Sequence, residues 1–444
     1  MKISVIGLGK LGSPLAAVLA SKGFSVVGTD LHQPYVDSIN GGQAPVDEPR
    51  LQELIDANRD RLRATMDAAA AVADTDVTFI IVPTPSDESG RFGNSYILTA
   101  MKAVGAGLRK KSGYHVVVVT STVMPGSTGG EIRAALEVAS GRRVGEQLGL
   151  CYNPEFIALG SVVRDMLSPD VILIGESDSK AGDVLERIYQ QSCDNKPAVH
   201  RMNFVNAELA KISVNTFVTT KISYANMLAE ICDRIPGADV DVVTAAVGAD
   251  SRIGAKYLRG AIGYGGPCFP RDNVAFASLA RTIGARAELA EATDIVNRHQ
   301  VERVLGAIEA RVTHPGPIGI LGLSYKPDTA VVEQSQGVAL AGRLIAEGHE
   351  VIAYDPKALD NAQAALSGSM IAAASAEECV RRASIVVVMT PWPEFRSIPL
   401  SAFTRPQRLI VIDCWRLFAR EEVGTVADVI YLGQGAALSR PTYA

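Results

Sequence analysis

The chain has 444 residues, of which 47% are hydrophobic and 20% are charged, and its formal net charge is -5. A chain of this length exceeds one ordinary hydrophobic core, so more than one domain is expected. With this mildly negative charge the chain has no excess of basic residues to attract nucleic acid. No apolar run approaches the ~20 residues that span a bilayer. We therefore expect neither nucleic acid nor a membrane as a partner.

Cysteine usage and the first residues indicate a reduced, cytoplasmic protein. The six cysteines form no CxxC pair and no zinc-ligand spacing, so we expect no metal site. The opening MKISVI reads directly as a strand, without the charged and apolar regions of a signal peptide. Cys268 stands apart because it lies in the glycine- and proline-rich stretch GYGGPCFPRD. A packed structural cysteine is uncommon in such a loop, so Cys268 is a candidate nucleophile.

The opening stretch predicts a dinucleotide-binding fold. KISVIGLGKLGSPLAAVLASKGFSVVGTD has the pattern of a strand, a glycine turn, a helix and a second strand. Gly7, Gly9 and Gly12 have the GxGxxG spacing that combines a tight turn, close approach of a pyrophosphate and close helix–strand packing. Asp30 ends the second strand, where a carboxylate accepts hydrogen bonds from the ribose hydroxyls and repels a 2′-phosphate. NAD is therefore the expected cofactor, rather than NADP.

Further strands end in polar loops. VTFIIVPTPS and HVVVVTSTVMPG are apolar runs that end in Thr/Pro/Ser segments, and LCYNPEFIALG follows the same pattern. Ligands of parallel sheets bind at the carboxyl ends of the strands. Thr84 and Thr122 are therefore candidates for the nicotinamide side, with ordinary turn roles as the alternative. Glu155 stands at the third strand exit, where it is either functional or simply solvated.

A long helix and a basic segment precede the cysteine loop. The stretch 206–235 is free of interior proline and glycine and would extend over about 45 Å as a helix. Lys211 and Asn215 lie four residues apart on one face of it, where they could hold a substrate oxygen or form an exposed polar stripe. Three basic residues that follow suit an anionic substrate such as a phosphate ester: Arg252, Lys256 and Arg259.

A second α/β unit begins near residue 316. GPIGILGLSYKPDTA has an apolar strand and a glycine turn, but Gly319 and Gly322 do not complete a GxGxxG spacing. Strand and helix patterns continue to RLIVIDCWR, so a nucleotide other than the dinucleotide is the expected ligand. Lys326 and Arg416 follow strand ends and are candidate ligand contacts, with surface charge as the alternative.

Together these motifs resemble the UDP-glucose/GDP-mannose dehydrogenase family of NAD-dependent nucleotide-sugar 6-dehydrogenases. The matching pieces run along essentially the whole chain: GLGKLG, VPTP, STVMPGST, NPEF, AELAKISVNTF, SRIG, GYGGPCFPRD, SYKPDT and DCWR. The resemblance implies an α/β fold with two Rossmann-like doubly wound domains joined by a long central helix and a helical dimerisation region. It implies an NAD-binding domain over 1–200, a central region with the cysteine loop over 201–300 and a nucleotide-sugar domain over 301–444. A cytoplasmic homodimer through the central helix is the expected assembly.

The resemblance also implies a mechanism. Oxidation of a sugar C6 alcohol gives an aldehyde, and addition of the Cys268 thiolate gives a thiohemiacetal that a second NAD oxidises to a thioester. Lys211 would stabilise the oxyanion together with Asn215. Asp272 and Thr122 would position a water that relays the alcohol proton, while Glu155 would assist thioester hydrolysis. The implied substrate contacts are Lys211, Asn215, Arg252, Tyr257, Gly265, Lys326 and Arg416, with Arg252 reaching phosphates across a dimer interface.

Departures from the family pattern leave the sugar open. Leu159 replaces a second glutamate after Glu155, Arg271 replaces a lysine, and Glu333 in AVVEQSQ stands where arginine is expected. TPW stands where UDP-glucose enzymes often show Thr-Glu-Trp. UDP-glucose oxidised to UDP-glucuronate is the leading hypothesis. Alternatives are UDP-N-acetylhexosamine, GDP-mannose or a specialised nucleotide sugar, a β-hydroxyacid dehydrogenase, and a catalytically weak nucleotide-sugar-binding protein.

Overall fold

The computed structural model describes residues 1–312 and 316–436 and divides into two compact units. The N-terminal unit comprises Met1–Ser213, and the C-terminal unit comprises Val214–Ala444. The small, polar C-terminal stretch, for which the sequence predicts a flexible tail, lies outside the described residues from position 437 onward. None of the helices in the described ranges combines the length and the apolarity that crossing a bilayer requires.

The N-terminal unit alternates strands and helices. Its strands are β1 (Lys2–Ile6), β2 (Ser25–Thr29), β3 (Leu62–Thr65), β4 (Val77–Ile80), β5 (His115–Val119), β6 (Leu148–Tyr152), β7 (Val171–Glu176) and β8 (Ala198–Met202). Its helices are α1 (Gly12–Ser21), α2 (Gln33–Asn40), α3 (Leu51–Ala57), α4 (Ala68–Asp74), α5 (Ser95–Leu108), α6 (Arg133–Ser140), α7 (Val162–Leu167) and α8 (Ser179–Ser192).

These strands form one twisted sheet in the order β3-β2-β1-β4-β5-β6-β7-β8. All neighbours are parallel except β6 and β7. The 3-2-1-4-5-6 order is that of a Rossmann fold, whose strand order reverses beside β1. Alternate residues of the strands enter two apolar clusters, one on each face: Phe79 belongs to the first and Ile80 to the second. Helices thus cover both faces, as buried parallel strands require.

Helix α9 (Phe204–Arg234) continues from the N-terminal into the C-terminal unit. The observed helix agrees with the helix predicted over 206–235. The division between the compact units falls inside α9, whereas the sequence predicts domain boundaries at residues 200 and 300. Those boundaries stay a prediction.

The C-terminal unit contains a second sheet. Its helices are α10 (Val240–Ala249), α11 (Phe269–Thr282), α12 (Glu288–Glu309), α13 (Gln336–Ala346), α14 (Leu359–Ala365), α15 (Ala376–Arg382) and α16 (Leu400–Phe403). Its strands are β9 (Ile318–Leu321), β10 (Val351–Tyr354), β11 (Ile371–Ala372), β12 (Ile385–Val388), β13 (Leu409–Asp413) and β14 (Ala427–Tyr431). Within the described residues they are all parallel, in the order β11-β10-β9-β12-β13-β14. The strand order of the first sheet is repeated, which confirms the prediction of two doubly wound Rossmann-like domains.

Candidate active site

The glycine turn after β1 is built by close backbone contacts. Gly7 has a φ of +98°, and a Cβ added there would lie 2.4 Å from the carbonyl oxygen of Ile81. A Cβ on Gly12, which opens α1, would lie 1.7 Å from the carbonyl oxygen of Gly7. A Cβ on Gly9, by contrast, would meet nothing within 4 Å. Two glycines therefore hold the turn together, while Gly9 leaves open space in which a pyrophosphate can reach the backbone.

Asp30, the residue that follows β2, is also suited to binding this cofactor. The Asp30 carboxylate accepts the N–H of Leu8 at 2.6 Å and the N–H of His32 at 2.8 Å. One acidic side chain thus joins the glycine turn to the end of β2. Each carboxylate oxygen has a further lone pair for a ribose hydroxyl. The N-terminus of α1 has no side-chain cap, so its backbone N–H groups suit a phosphate. These residues fit NAD.

Gly9 and Gly12 differ in the expected effect of substitution by alanine. We expect Gly12→Ala to lower the free energy of unfolding by about 3 kcal/mol or more, because backbone carbonyl atoms cannot withdraw from the added carbon. Gly9→Ala is expected to leave the melting temperature unchanged and to raise the KM for NAD about tenfold or more, since its methyl group occupies only ligand space. Thermal unfolding and NAD titration of both variants provide the check. A Gly9→Ala protein that binds NAD normally contradicts this placement of the pyrophosphate.

The second sheet repeats the glycine turn over a longer loop. Gly322 also has a φ of +98°, and a Cβ on Gly337 would lie 2.4 Å from its carbonyl oxygen. Asp355 accepts the N–H of Leu323 at 2.8 Å, as Asp30 does for Leu8. Helix α13, unlike α1, is capped at its N-terminus by Ser335, whose Oγ accepts the N–H of Val338. Gly337 was not predicted from the sequence, because the two glycines are far apart in the chain.

The loops after β4 and β5 are tied to each other. Thr84 Oγ1 donates to the carbonyl oxygen of Thr122 at 2.8 Å. Ser121 Oγ accepts the N–H of Val82 at 2.9 Å and donates to its carbonyl oxygen at 2.6 Å. Thr84 and Thr122 thus lie together at the carboxyl edge of the sheet, the edge at which the cofactor is expected. Thr122 uses its backbone oxygen in this contact, so its hydroxyl is not consumed by it.

Glu208 is a buried anchor that the sequence analysis missed. It is 0% exposed, and its carboxylate accepts the N–H groups of Gly126 at 2.6 Å and Thr128 at 2.7 Å. Burial raises the pKa of this carboxyl, and the bonds from Thr128 and Gly126 oppose that shift. Glu208 thereby fixes the loop that begins with Thr122. Its signal in the sequence was a glutamate one turn before Lys211 on the same face of the helix.

Glu155 follows β6 and faces the interior of the N-terminal unit. Its carboxyl lies beside a cavity of about 10 Å³ lined by apolar residues that include Leu15, Leu19 and Ile188. The hydroxyl of Tyr189 on α8 lies 3.4 Å from Glu155 Oε1. Burial raises the pKa of Glu155 to about 7, although the positive charge of Lys211 opposes the shift. A carboxyl of this kind changes its protonation state near neutrality.

Lys211 is held against the same strand exit. Its side chain is 7% exposed, and its ammonium donates a short hydrogen bond to the carbonyl oxygen of Glu155. It also lies 4.5 Å from the ring centroid of Phe156. The NPEF segment and the central helix therefore meet around one cation, which suits the oxyanion-stabilising role implied by the resemblance.

The pKa of Glu155 predicts a pH-dependent stability difference. In the folded protein this pKa is raised above the ordinary value of 4.5. The stability that the protonated carboxyl contributes is therefore complete below pH 4.5 and is lost as the pH rises through about 7. We expect Glu155→Gln to be more stable than the parent protein by up to about 3 kcal/mol above pH 8. Below pH 4.5 the two proteins should unfold alike. Melting temperatures of both proteins across this pH range test whether Glu155→Gln becomes the more stable one as the pH rises. A stability difference that is the same at all pH values contradicts the prediction.

The cysteine loop packs against the loop that follows β9. A Cβ on Gly265 would lie 2.3 Å from the carbonyl oxygen of Gln334. The N–H of Gly266 donates to the carbonyl oxygen of Glu333 at 2.9 Å. Cys268 follows this glycine pair and immediately precedes α11. The glycines thus permit the contact that positions the thiol.

Cys268 differs from the other cysteines in exposure. It is the exposed one of the six, whereas four are buried and Cys193 is intermediate. Burial raises the pKa of Cys379 to about 12 and that of Cys193 to about 11, and it raises those of Cys151 and Cys414 further. A thiol must ionise and be reachable to act as a nucleophile. Cys268 is therefore the best candidate.

The first turn of α11 is bonded to α9. Asn215 Nδ2 donates to Asp272 Oδ2 at 2.6 Å, and Asp272 is 1% exposed. The N–H of Asp272 donates to the carbonyl oxygen of Cys268 at 2.8 Å. Within the C-terminal unit, Asp272 is therefore joined to Asn215 by its side chain and to Cys268 by its backbone.

Two further asparagines support this group and were missed by the sequence analysis. Asn273 Nδ2 donates to the hydroxyl of Tyr264 at 2.8 Å. Asn297 forms two hydrogen bonds with the backbone of Tyr264: its Oδ1 accepts the N–H at 2.7 Å, and its Nδ2 donates to the carbonyl oxygen at 3.0 Å. They fix the glycine-rich loop from α11 and α12. A buried asparagine on a helix gives no distinctive sequence pattern, so only the fold reveals them.

The predicted substrate contacts have different environments. Tyr257 is 54% exposed, with its ring centroid 6.4 Å from that of Phe269, and Lys326 lies 5.9 Å from the ring centroid of Tyr325. Both pairs lie around the cysteine loop. The side chain of Arg252 is 86% exposed and forms an ion pair with its near neighbour in sequence, Asp250.

Arg416 is held within the fold. Its side chain is 5% exposed, and the guanidinium donates two hydrogen bonds to Asp241, at 2.6 and 2.8 Å. It also donates to the carbonyl oxygens of Gly260 and Leu432, both at 2.7 Å, and to that of Cys414 at 3.4 Å. The structure thus uses Arg416 to join the end of β13 to α10. Across the described residues no group of histidines, cysteines and carboxylates has the arrangement of a metal site.

Comparison with known proteins decides the family. Family profiles match the NAD binding domain of the UDP-glucose/GDP-mannose dehydrogenase family at residues 1–193, its central domain at 205–299 and its UDP binding domain at 319–420. This chain belongs to the UDP-glucose/GDP-mannose dehydrogenase family. It is an NAD-dependent nucleotide-sugar 6-dehydrogenase, which confirms the predicted family, enzyme class and cofactor.

Individual members of the dehydrogenase family align along nearly the whole chain. The UDP-glucose 6-dehydrogenase AglM of Haloferax volcanii is 38% identical over 95% of this chain and 98% of its own length. A GDP-mannose 6-dehydrogenase of Pseudomonas putida is 32% identical over 90% of this chain and 94% of its own. The solved UDP-glucose dehydrogenase of Pyrobaculum islandicum superposes with a TM-score of 0.89 at 32% identity, covering 98% of both chains.

Proposed function

We propose that this dehydrogenase oxidises the C6 hydroxyl of UDP-glucose to the carboxylate of UDP-glucuronate in two NAD-dependent steps. The observation that carries the proposal is the exposed Cys268 at the start of α11, bonded through the backbone to the buried Asp272. A dehydrogenase that stopped at the aldehyde would need no thiol. The thiol lets an aldehyde become a tetrahedral carbon that can lose hydride again.

We assign the predicted site residues to the steps of this reaction as follows. NAD, held by the glycine turn after β1 and by Asp30, would accept a hydride in each oxidation. Asp272 and Thr122 position the water that takes the alcohol proton. Cys268 then forms a C–S bond to the aldehyde carbon, and Lys211, with Asn215, stabilises the resulting oxyanion. The second oxidation leaves a thioester, which water cleaves to the acid and the free thiol.

Glu155 is the proposed general base for this hydrolysis, because its pKa of about 7 suits proton transfer near neutral pH. Removing a proton from the attacking water requires the ionised carboxylate. The hydrolytic step should therefore quicken as the pH rises through this value. The departure at Leu159 leaves Glu155 as the single glutamate of the segment.

The choice of UDP-glucose rests on similarity. The relative with 38% identity is named for UDP-glucose, whereas one with 32% identity is named for GDP-mannose. The loop from Tyr325 to Gln334, which contacts the cysteine loop, departs from the family pattern at Glu333. UDP-N-acetylhexosamine, GDP-mannose and specialised nucleotide sugars therefore remain the competing substrates of the same chemistry.

The deciding experiment is the NADH yield from limiting UDP-glucose with excess NAD, followed to completion. About two NADH per sugar is the result expected from the double oxidation. The same assay with UDP-N-acetylglucosamine and GDP-mannose serves as the substrate control. One NADH per UDP-glucose contradicts the thioester route, and a higher rate with another sugar reassigns the substrate. Binding of nucleotide sugars without NADH from any of them favours a catalytically weak binding protein.

We propose further that two copies of the chain pair through α9. Phe217, Tyr224 and Ile231 recur every seven residues on this helix and are 67%, 47% and 45% exposed. An apolar stripe at this spacing suits a second helix. Phe217→Glu should convert a dimer into a monomer in light scattering, whereas Val138→Glu, at a 79% exposed position on α6, should not. A parent protein that is monomeric contradicts the proposal.

A further inference from the structure

A cavity of about 370 Å³ lies at the amino edge of the second sheet. Its wall includes Pro317, Ser384 and Arg408, which directly precede β9, β12 and β13, three neighbouring strands of that sheet. A doubly wound sheet binds its usual ligand at the other edge, where Lys326 and Arg416 follow the carboxyl ends of β9 and β13. The cavity is therefore separate from the predicted nucleotide-sugar site.

The cavity is basic. Its lining contains four arginines: Arg311, Arg382, Arg405 and Arg408. Arg382 forms an ion pair with Glu378 at 2.9 Å, and Arg408 forms one with Asp428 at 2.7 Å. The other two donate to backbone carbonyl oxygens, and no carboxylate of the described ranges forms an ion pair with either of them. Two guanidinium charges of the wall are thus left without a counter-ion from the described part of the chain.

Arg405 is the half-buried member of the unpaired two. Its Nη1 donates to the carbonyl oxygen of Ala383 at 2.5 Å, and its Nη2 donates to that of Val380 at 2.6 Å. These bonds fix the guanidinium at the carboxyl end of α15. Three of its five N–H donors remain for a ligand. Burial lowers the pKa of Arg405, and an anion in the cavity would oppose that effect by stabilising the charged form.

Arg311 approaches the cavity from another element. It follows α12, and its Nη1 donates to the carbonyl oxygen of Ala307 at 2.9 Å. Capping of helix ends accounts for this bond and for those of Arg405. It accounts neither for the cavity between the helix ends nor for the donors that the caps leave unused.

Charge and hydrogen-bond geometry favour a phosphate group as the ligand. A phosphate monoester carries roughly −1.5 to −2 charges near neutral pH, which matches the two unpaired guanidinium groups. Planar guanidinium groups also form paired hydrogen bonds with phosphate oxygens. An anion of this charge would be poorly matched by one arginine alone.

The size and the remaining wall favour an organic phosphate over the free ion. The volume of about 370 Å³ falls within the roughly 300 to 1,000 Å³ that is usual for small-molecule sites. Apolar side chains contribute to the wall: Val312, Pro317, Ile385 and Ile410. A flat nucleobase can pack against such side chains and stack on a guanidinium, which a bare sugar cannot do as well.

We propose that this cavity is a second ligand site that binds a nucleoside monophosphate, with the phosphate between Arg405 and Arg311 and the base against the apolar wall. The site goes beyond the proposed function, because it contains none of the residues assigned to the oxidation. Occupancy of the site is therefore measurable without an activity assay.

The test is calorimetric titration of AMP into the parent protein with saturating NADH and UDP-glucose. This pair occupies the cofactor and substrate sites of the proposed function without turnover, because NADH cannot accept a hydride. We expect one AMP per chain, with inorganic phosphate and adenosine each binding at least about tenfold more weakly. A dissociation constant for AMP above about 1 mM overturns the proposal. Phosphate or adenosine that binds as tightly as AMP overturns the assigned ligand class.

Arg382→Gln and Arg381→Gln form a matched pair of variants. Both arginines lie in the last turn of α15, and each pairs with a glutamate four residues earlier. Of the two, Arg382 lines the cavity. Arg382→Gln should therefore weaken AMP binding about threefold to tenfold, and Arg381→Gln should leave it unchanged. Equal effects of the two substitutions contradict this location.

Arg405→Gln should weaken AMP binding by at least about tenfold, because it removes an unpaired charge from the wall. Its melting temperature reports the loss of the bonds to α15. If this variant does not fold, Arg311→Gln removes the other unpaired charge and should have an effect of similar size. Unchanged AMP affinity in whichever of these variants folds overturns the site and leaves the proposed function intact.

Discussion

Replacing Cys268 by serine should reduce steady-state NADH formation from UDP-glucose by at least about 10³-fold, equivalent to roughly 4 kcal/mol of activation free energy. Serine keeps the size and the hydrogen-bonding ability of the side chain but is a far weaker nucleophile. Oxidation should therefore stop at the level of the aldehyde, which stays bound or returns to alcohol. Stopped-flow absorbance of NADH and product analysis by mass spectrometry would measure the loss.

Two comparisons make this result specific to the thiol. Binding of NAD and of UDP-glucose to Cys268→Ser should persist, as measured by calorimetry, because Cys268 is exposed and supports no part of the core. Cys193→Ser changes another cysteine that is not fully buried and should retain full activity. Two NADH per sugar from Cys268→Ser at the parent rate contradicts covalent catalysis by this residue.

Asp272→Asn should lower kcat/KM by about 10² to 10⁴-fold, the range for loss of a positioned acid–base group. The substitution preserves shape, but it removes the carboxylate that accepts the 2.6 Å bond from Asn215. An amide at this buried position cannot orient water as a carboxylate does. Steady-state kinetics with UDP-glucose and NAD would measure the effect.

Asp360→Asn is the matched control for Asp272→Asn. Asp272 lies in the first turn of α11 and Asp360 in the first turn of α14, so both substitutions remove the same favourable interaction with a helix dipole. Asp360 is exposed and lies outside the site. If Asp360→Asn has normal kinetics and Asp272→Asn shows a large loss of kcat/KM, the loss is due to the catalytic role of the Asp272 carboxylate. Equal losses in the two variants contradict the assignment.

Local patterns in the sequence were sufficient to predict both sheets. Buried parallel strands read as short apolar runs, so β1, β4, β5, β9, β12 and β13 stood out without any knowledge of their partners. The first glycine turn was also local, since Gly7 and Gly12 are separated by four residues. The long helix was predicted within two residues of its observed start, because nothing in 206–234 interrupts it.

The supports of the site were harder to predict because they are long-range. Glu208 reaches back to a loop some 80 residues earlier, and Asn297 grips the backbone of Tyr264 from another helix. The bonds of Arg416 to Asp241 likewise depend on how β13 and α10 meet. Such bonds are determined by tertiary packing, and a single polar residue in a helix has no periodicity that reveals it.

The long loop between Gly322 and Gly337 has a consequence for how enzymes of this design can diversify. These two glycines, with Asp355, secure strand and helix as Gly7, Gly12 and Asp30 do in the first sheet. The segment between the two glycines is thus an insertion, and the packing of β9 against α13 does not fix its length. Because its backbone also contacts the cysteine loop, substitutions in this segment would change the surroundings of that loop while the glycine contacts of the turn stay unchanged. Exchanging this segment between relatives would therefore vary the support of the cysteine loop without altering the turn that joins β9 to α13.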